Sequence, residues 1–331
     1  MPDRFAAVTG ATGFLGRSIV GALTTAGWRV RVLVRQIAGG AQFDDRTTDS
    51  VVGDLSNRRA LRELVDGADV VIHAAGLIKA SGLDEFRTVN VEGTANLVSA
   101  LNDCQSAKHL ILVSSMAARE PHLSAYAASK REGEEVVSTT LKRGLHDWTT
   151  VRPCAVYGPS DRETFAIFRA ASHKIFPLPG PRNGRLALIH AADAAGAIVS
   201  FSGHRTAGRI FELTDQRIEG YAWPEIIATL ETALGTKILV VPVPALVVRA
   251  AAIGNMLAAK IGGQPAVFTT GKAREILHSD WGSTADRLPP SQLWQPKITL
   301  SEGFRDTVSW YREHKWLAAG QSKPRPAGVA R

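Results

Sequence analysis

The chain has 331 residues, of which 45% are hydrophobic and 21% charged: too apolar for a disordered protein and long enough for about two domains. Lys and Arg outnumber Asp and Glu by 39 to 31, a net +8 that favours anionic partners, but no basic run with interleaved aromatics accompanies it and nucleic acid is not expected. Cys104 and Cys154 are too few for a disulfide framework and point to a reducing compartment.

Taken in order, the apolar runs predict strands at Phe5–Thr9, Arg29–Val34, 51–53, Asp69–His73, His109–Val113 and Trp148–Arg152, the last ending at Pro153. Helical spacing falls at 13–26, 83–101 and 124–143 between them. Such alternation implies right-handed crossovers and an α/β doubly wound parallel (Rossmann) sheet. After Gly158, Pro177, Pro179 and Pro181 punctuate a loop, a helix at 191–202 and a strand at 209–214 return to the sheet, and from Trp223 the chain is mostly helical. The expected division is a dinucleotide-binding domain of residues 1–160 and 186–214, and a smaller, mostly helical substrate lobe of 161–185 and 215–317. A disordered tail is expected at 318–331.

Thr9-Gly10-Ala11-Thr12-Gly13-Phe14-Leu15-Gly16 joins the first strand to the first helix. In that setting the three glycines suit a tight turn, close approach of backbone N–H groups to a pyrophosphate, and packing of helix on strand. The helix N-terminus adds partial positive charge for the phosphates. Where an acidic residue at the end of the second strand would select a ribose 2′-hydroxyl, this chain has Arg35, which suits a 2′-phosphate; NADP is therefore favoured, with NAD the alternative.

Tyr126 and Lys130 lie four apart in a predicted helix, so phenol and ammonium share a face, and a neighbouring ammonium favours the phenolate. Ser114 and Ser115 end a strand at the edge where a doubly wound sheet binds its ligand, and either hydroxyl could meet a carbonyl oxygen; Ser115 is preferred. His73 reads as a strand-end structural residue, His190 and Asp193 as a helix-start cap rather than metal ligands, and Cys154 as a buried inert thiol.

Together these pieces resemble the extended short-chain dehydrogenase/reductase family: the glycine loop, Gly53-Asp54-Leu55, His73-Ala74-Ala75-Gly76, Asn90-Val91-Glu92-Gly93-Thr94, the serines, Tyr126-x-x-x-Lys130 and Arg152-Pro153-x-x-x-Tyr157-Gly158-Pro159. The resemblance implies that Asp54 binds the adenine amino group with Leu55 against the ring, and that Ala74, Ala75 and Gly76 line the dinucleotide. It further implies Tyr126 as general acid/base, Lys130 on the nicotinamide ribose and lowering the tyrosine pKa, Ser115 polarising the carbonyl and Pro153 bordering the nicotinamide. A homodimer built on a helix pair is usual for the family.

The family holds both net oxidoreductases and nucleotide-sugar epimerases and dehydratases. Residues 238–263 are strongly apolar with only Arg249 and Lys260 as cations, which resembles the hydroxysteroid dehydrogenase and dihydroflavonol reductase side and suggests a hydrophobic, lipid- or steroid-like ketone/alcohol pair. A nucleotide-sugar epimerase/dehydratase retaining NAD is the runner-up, and a non-catalytic dinucleotide-binding accessory subunit the third reading. Pro242, Pro244, Arg249, Asn255 and Lys260 interrupt the apolar run, so a surface-lying segment is expected in place of a spanning helix. Without a leader-like N-terminus, the expected location is cytoplasmic, with peripheral membrane contact.

Overall fold

Short runs rich in Val, Ile and Leu, apolar on both faces, form the central strands of a sheet that helices cover on both sides. The computed structural model describes residues 4–36, 43, 46–80, 82–106, 108–142, 144–181, 183–262, 266 and 268–318. The expected tail therefore lies outside the described residues, apart from Ala318.

The first half runs β1 (Phe5–Thr9), α1 (Phe14–Thr25), β2 (Arg29–Val34), β3 (Thr48–Val52), α2 (Arg58–Val65), β4 (Val70–His73), α3 (Leu83–Arg87), α4 (Gly93–Asn102), β5 (His109–Val113), α5 (Ala125–Thr140) and β6 (Asp147–Pro153). The second half adds β7 (Ala155–Tyr157), α6 (Phe165–Ser172), β8 (Ile175–Pro179), β9 (Arg185–Leu186), β10 (Leu188–His190), α7 (Ala191–Ser202), β11 (Arg209–Leu213), β12 (Tyr221–Ala222) and α8 (Trp223–Leu234). It closes with β13 (Leu239–Val243), α9 (Ala245–Gly262), α10 (Thr270–Leu277), β14 (Asp280–Trp281) and α11 (Leu300–Glu313).

Seven strands form one sheet in the order β11-β6-β5-β4-β1-β2-β3, every neighbouring pair parallel. The order reverses beside β1, so the C-terminal ends of β1 and β4 open the crevice in which such sheets bind ligands. One core cluster packs α1 and α7 on one face through Ile19, Leu23, Ile198 and Phe201. The other face carries α2, α4 and α5 through Leu61, Leu64, Leu97, Leu101 and Val137. A third cluster joins Tyr157, Phe168, Leu188, Leu230, Phe304 and Tyr311, with edge-on aromatic contacts such as Tyr157 on Phe304.

Four features depart from the sequence reading. The helix expected over 83–101 is broken by a widened π turn at Thr88–Glu92, and α2 was not anticipated at all. Pro177 and Pro179 sit in a strand, not a loop, because β8 pairs in parallel with β13 as a two-stranded ribbon. Pro242 and Pro244 precede α9 and leave its 18 residues uninterrupted.

Candidate active site

The glycine loop folds as its residue types require. Gly10 has φ +73°, a left-handed conformation that suits glycine, and a Cβ there would lie 2.4 Å from the Ala75 nitrogen. A Cβ on Gly16 would lie 2.0 Å from the Gly10 carbonyl oxygen. Only hydrogen fits at either place, so the loop packs backbone on backbone against Ala74 and Ala75 and forms a cradle at the start of α1. Gly13 donates to the Gly10 carbonyl at 3.0 Å, Arg17 holds the Thr12 carbonyl at 2.9 Å, Phe14 opens α1 and Leu15 packs on the core. These residues fit a dinucleotide pyrophosphate: N–H donors and a helix N-terminus with no side chain in the way.

Behind the cradle, a chain of hydrogen bonds fixes His73. Thr94 donates to the Asn90 carbonyl at 2.8 Å, so its oxygen accepts from His73 Nε2 at 3.0 Å. His73 Nδ1 then accepts from Thr9 Oγ1 at 2.6 Å, and Thr9 in turn accepts from the Ala75 nitrogen at 3.3 Å. Burial, with the Lys130 charge as a lesser cause, lowers the imidazole pKa to about 3. His73 is a neutral structural link, as its place at the strand end suggested.

Just after β3, Asp54 accepts from the Ser56 hydroxyl at 2.6 Å and the Ser56 nitrogen at 2.8 Å, bonds that hold its carboxyl below the usual range with a smaller push from Arg35. Leu55 lies against Gly93, where a Cβ would meet it at 2.7 Å. Arg35 is exposed just beyond β2, at the same rim.

The second group of residues gathers at the ends of β5 and α5. Ser124 caps α5 by accepting from the Ala127 nitrogen at 2.9 Å, which sets Tyr126 and Lys130 on one face. Ser115 begins a one-turn helix and accepts from Ala117 at 3.1 Å, and its hydroxyl lies near enough to the Tyr126 phenol to lower its pKa. Ser114 is turned away: its hydroxyl donates to Glu134 at 2.5 Å, and Glu134 is held bidentate by Arg152 at 2.8 and 2.6 Å. Of the two serines, Ser115 is the one beside the tyrosine.

Lys130 Nζ donates to the Val113 carbonyl at 2.8 Å, and a Cβ on Gly76 would lie 3.5 Å from it, so the cradle and this group meet at Gly76. Burial lowers the ammonium pKa to about 8, opposed by the Glu134 charge. For Tyr126 the sequence reading needs correcting. Burial of the phenol pushes its pKa up to about 12; the Ser115 hydroxyl lowers it and the Glu275 charge raises it further. Desolvation of the phenolate is the largest cause of the shift, and the Ser115 hydroxyl is the group that opposes it. Pro153 ends β6 beside Leu213 of β11, and Cys154 is buried with its thiol pushed well up, hence inert. His190 caps α7, accepting from Ala192 at 3.3 Å, and Asp193 accepts from the Lys297 and Ile298 nitrogens at 2.9 and 2.8 Å.

Two residues were missed. Asn90, in the π turn, accepts from the Leu77 nitrogen at 2.7 Å and donates to Ser129 at 2.9 Å, tying the loop after Gly76 to the helix of Tyr126. Its place in the Asn-Val-Glu-Gly-Thr motif was the available signal. Glu134, one turn beyond Lys130, had no signal beyond that spacing.

Residues 6–213 match the model of the NAD dependent epimerase/dehydratase family. The chain belongs to that family. Its motifs are those of the extended short-chain dehydrogenase/reductases. Among relatives in the family, the chain is 42% identical over 314 residues to a ceramide reductase of Caulobacter vibrioides, covering 94% of this chain and 95% of that one. It is 26% identical to a UDP-glucose 4-epimerase of Vibrio cholerae, over 91% and 93% of the two chains. A solved structure titled MoeE5 in complex with UDP-glucose and NAD shares the fold with a TM-score of 0.70, at 18% identity over 94% of this chain and 99% of that one. The chain is thus an oxidoreductase-type enzyme of a nicotinamide-dependent family.

Proposed function

We propose that this enzyme reduces the ketone of a lipid-like substrate to a secondary alcohol at the expense of NADPH, with a keto-ceramide type of lipid as the candidate class. The observation that carries the reading is the Ser115 hydroxyl set near the half-buried Tyr126 phenol, one turn before Lys130, whose ammonium is held on the Val113 carbonyl at 2.8 Å. The near full-length similarity to a ceramide reductase supports the lipid, and Arg35 in place of an acidic residue supports the 2′-phosphate.

The nicotinamide, when bound, supplies the hydride that the carbonyl carbon receives. The residues of the chain do the rest. Ser115 donates to the carbonyl oxygen and draws charge onto it. Tyr126, whose raised pKa keeps the proton on its oxygen at neutral pH, gives that proton to the same oxygen, so C=O becomes CH–OH. Lys130, charged below about pH 8, offsets the phenolate left behind. Asp54, Leu55, Ala74, Ala75, Gly76 and Pro153 border the dinucleotide in this reading, and Arg35 faces the adenosine phosphate.

Purified protein should oxidise NADPH only when a long-chain ketone is supplied, one NADPH for each alcohol formed. Tyr126→Phe should cut turnover by about 10²–10⁴. Arg35→Asp should shift the preference towards NADH. Interconversion of UDP-sugars without net NADPH consumption would replace this reading with the epimerase, and dinucleotide binding with neither activity would favour the accessory subunit.

A further inference from the structure

From Thr232 to Arg274 the sequence holds no acidic residue, but five cations: Lys237, Arg249, Lys260, Lys272 and Arg274. Within that stretch α9 is fixed along one side. Val248 and Ala252 are buried against Ala273 of α10, and Asn255 accepts from the Phe268 nitrogen at 3.0 Å. At about 100° per residue, Leu246, Ile253, Leu257 and Ile261 then form one stripe on the opposite side. That stripe is uncovered, with Leu246 77% and Ile261 89% exposed. The strand leading into α9 continues the pattern, since Leu239 and Val241 are exposed together with Ile175, the register partner of Leu239. Of the twelve exposed large hydrophobic side chains among the described residues, only Val52, Ile78 and Ile210 lie elsewhere. Such a concentration marks an interaction surface.

Charge decides what covers it. Arg249 and Lys260 are eleven residues apart and so fall on the same side of the helix, along one margin of the apolar stripe. A second copy meeting this face about a two-fold axis would set cation against cation with no carboxylate in the stretch to pair them. Anionic headgroups over acyl chains match both features. The helix is long and apolar enough to cross a membrane, but its docked side and its polar residues hold it in the plane of the surface.

We propose that α9 and the exposed side of β13 rest on an anionic lipid bilayer, with the stripe among the acyl chains and Arg249 and Lys260 at headgroup phosphates. This stands independently of the substrate reading. The test is flotation of the full chain with phosphatidylcholine vesicles, with and without phosphatidylglycerol. The wild type should float with the anionic vesicles and far less with phosphatidylcholine alone. Leu246→Glu/Leu257→Glu should weaken binding by at least about tenfold with an unchanged melting temperature, because both side chains are exposed. Arg249→Gln/Lys260→Gln, which leaves the apolar stripe intact, should lose several-fold on anionic vesicles only. A wild type that ignores anionic vesicles would overturn the proposal, as would either double variant binding like wild type. A dimer in sedimentation that the Leu246→Glu/Leu257→Glu variant dissociates, without vesicle binding, would assign the face to a second copy.

Discussion

Glu134 sits among Lys130, Ser114 and Arg152 and acts on the chemistry through Lys130 alone. Its negative charge raises the Lys130 pKa, so removing it should move that pKa further below about 8. Ketone reduction needs the charged ammonium and the protonated phenol, so the wild-type rate should hold below pH 8 and fall above it. In Glu134→Gln that alkaline fall should begin at lower pH, while leaving Arg152 buried without its partner costs about 3–5 kcal/mol of stability. Glu134→Gln/Arg152→Met, which leaves no buried charge unpaired, should recover stability but keep the displaced pH profile; an unmoved profile would reduce Glu134 to a purely structural role. In the sequence Glu134 belongs to a charged run, Lys130-Arg131-Glu132-Gly133-Glu134-Glu135, and nothing local separates it from its solvent-facing neighbours. Only the arrival of Arg152 from β6 and Ser114 from the end of β5 gives it buried partners. That Tyr126, Lys130 and Ser115 gather at one place was legible, because helical spacing and the strand end bring them together. The direction of the Tyr126 shift was not, because burial is a tertiary property.

At the scale of elements, α10 lies over the N-terminus of α5 and holds the site from outside. Glu275 accepts from the Ser124 hydroxyl, Arg274 donates to the Leu123 carbonyl at 2.8 Å, and Trp281 donates to the Glu275 carbonyl at 3.0 Å. The Glu275 charge raises the phenol pKa of Tyr126. Glu275→Gln should therefore lower the tyrosinate titration seen by ultraviolet absorbance, and cost about 1–3 kcal/mol for the weakened cap contact. No change in that titration would mean that α10 packs on α5 without tuning it. The strands β1, β2 and β5 match their expected bounds, since runs of three or four buried apolar residues leave little choice of register. The octet of α2 was hidden by its four charges, although Asn57 as cap and Ala60, Leu61, Leu64 and Val65 on one side carried the signal. The π turn at 88–92 was not legible, because it depends on Asn90 reaching Leu77 and Ser129.

Across the whole molecule, two buried histidines set the acid limit. Burial lowers His73 to about 3 and His109 to about 4, whereas an unfolded histidine titrates near ~6.5. Between these values the unfolded chain binds the extra protons, so the stability present above pH 6.5 is lost as pH falls towards 4. Asp215, pushed up to about 6 by burial, acts in the opposite sense over a narrower window. Urea midpoints should stay level from pH 8 to 6.5 and drop below it, by up to about 1.4 kcal/mol per pH unit for each histidine. A midpoint unchanged down to pH 4.5 would show that the histidines are not held neutral.

The most direct test of the enzyme as a net ketone reductase is the fate of the hydride. With NADPH carrying deuterium at nicotinamide C4 and a long-chain keto-lipid, mass spectrometry of the released lipid should find one deuterium on the new carbinol carbon, and none with Tyr126→Phe. A product without label, or labelled cofactor left unspent while a sugar nucleotide changes configuration, would contradict the account.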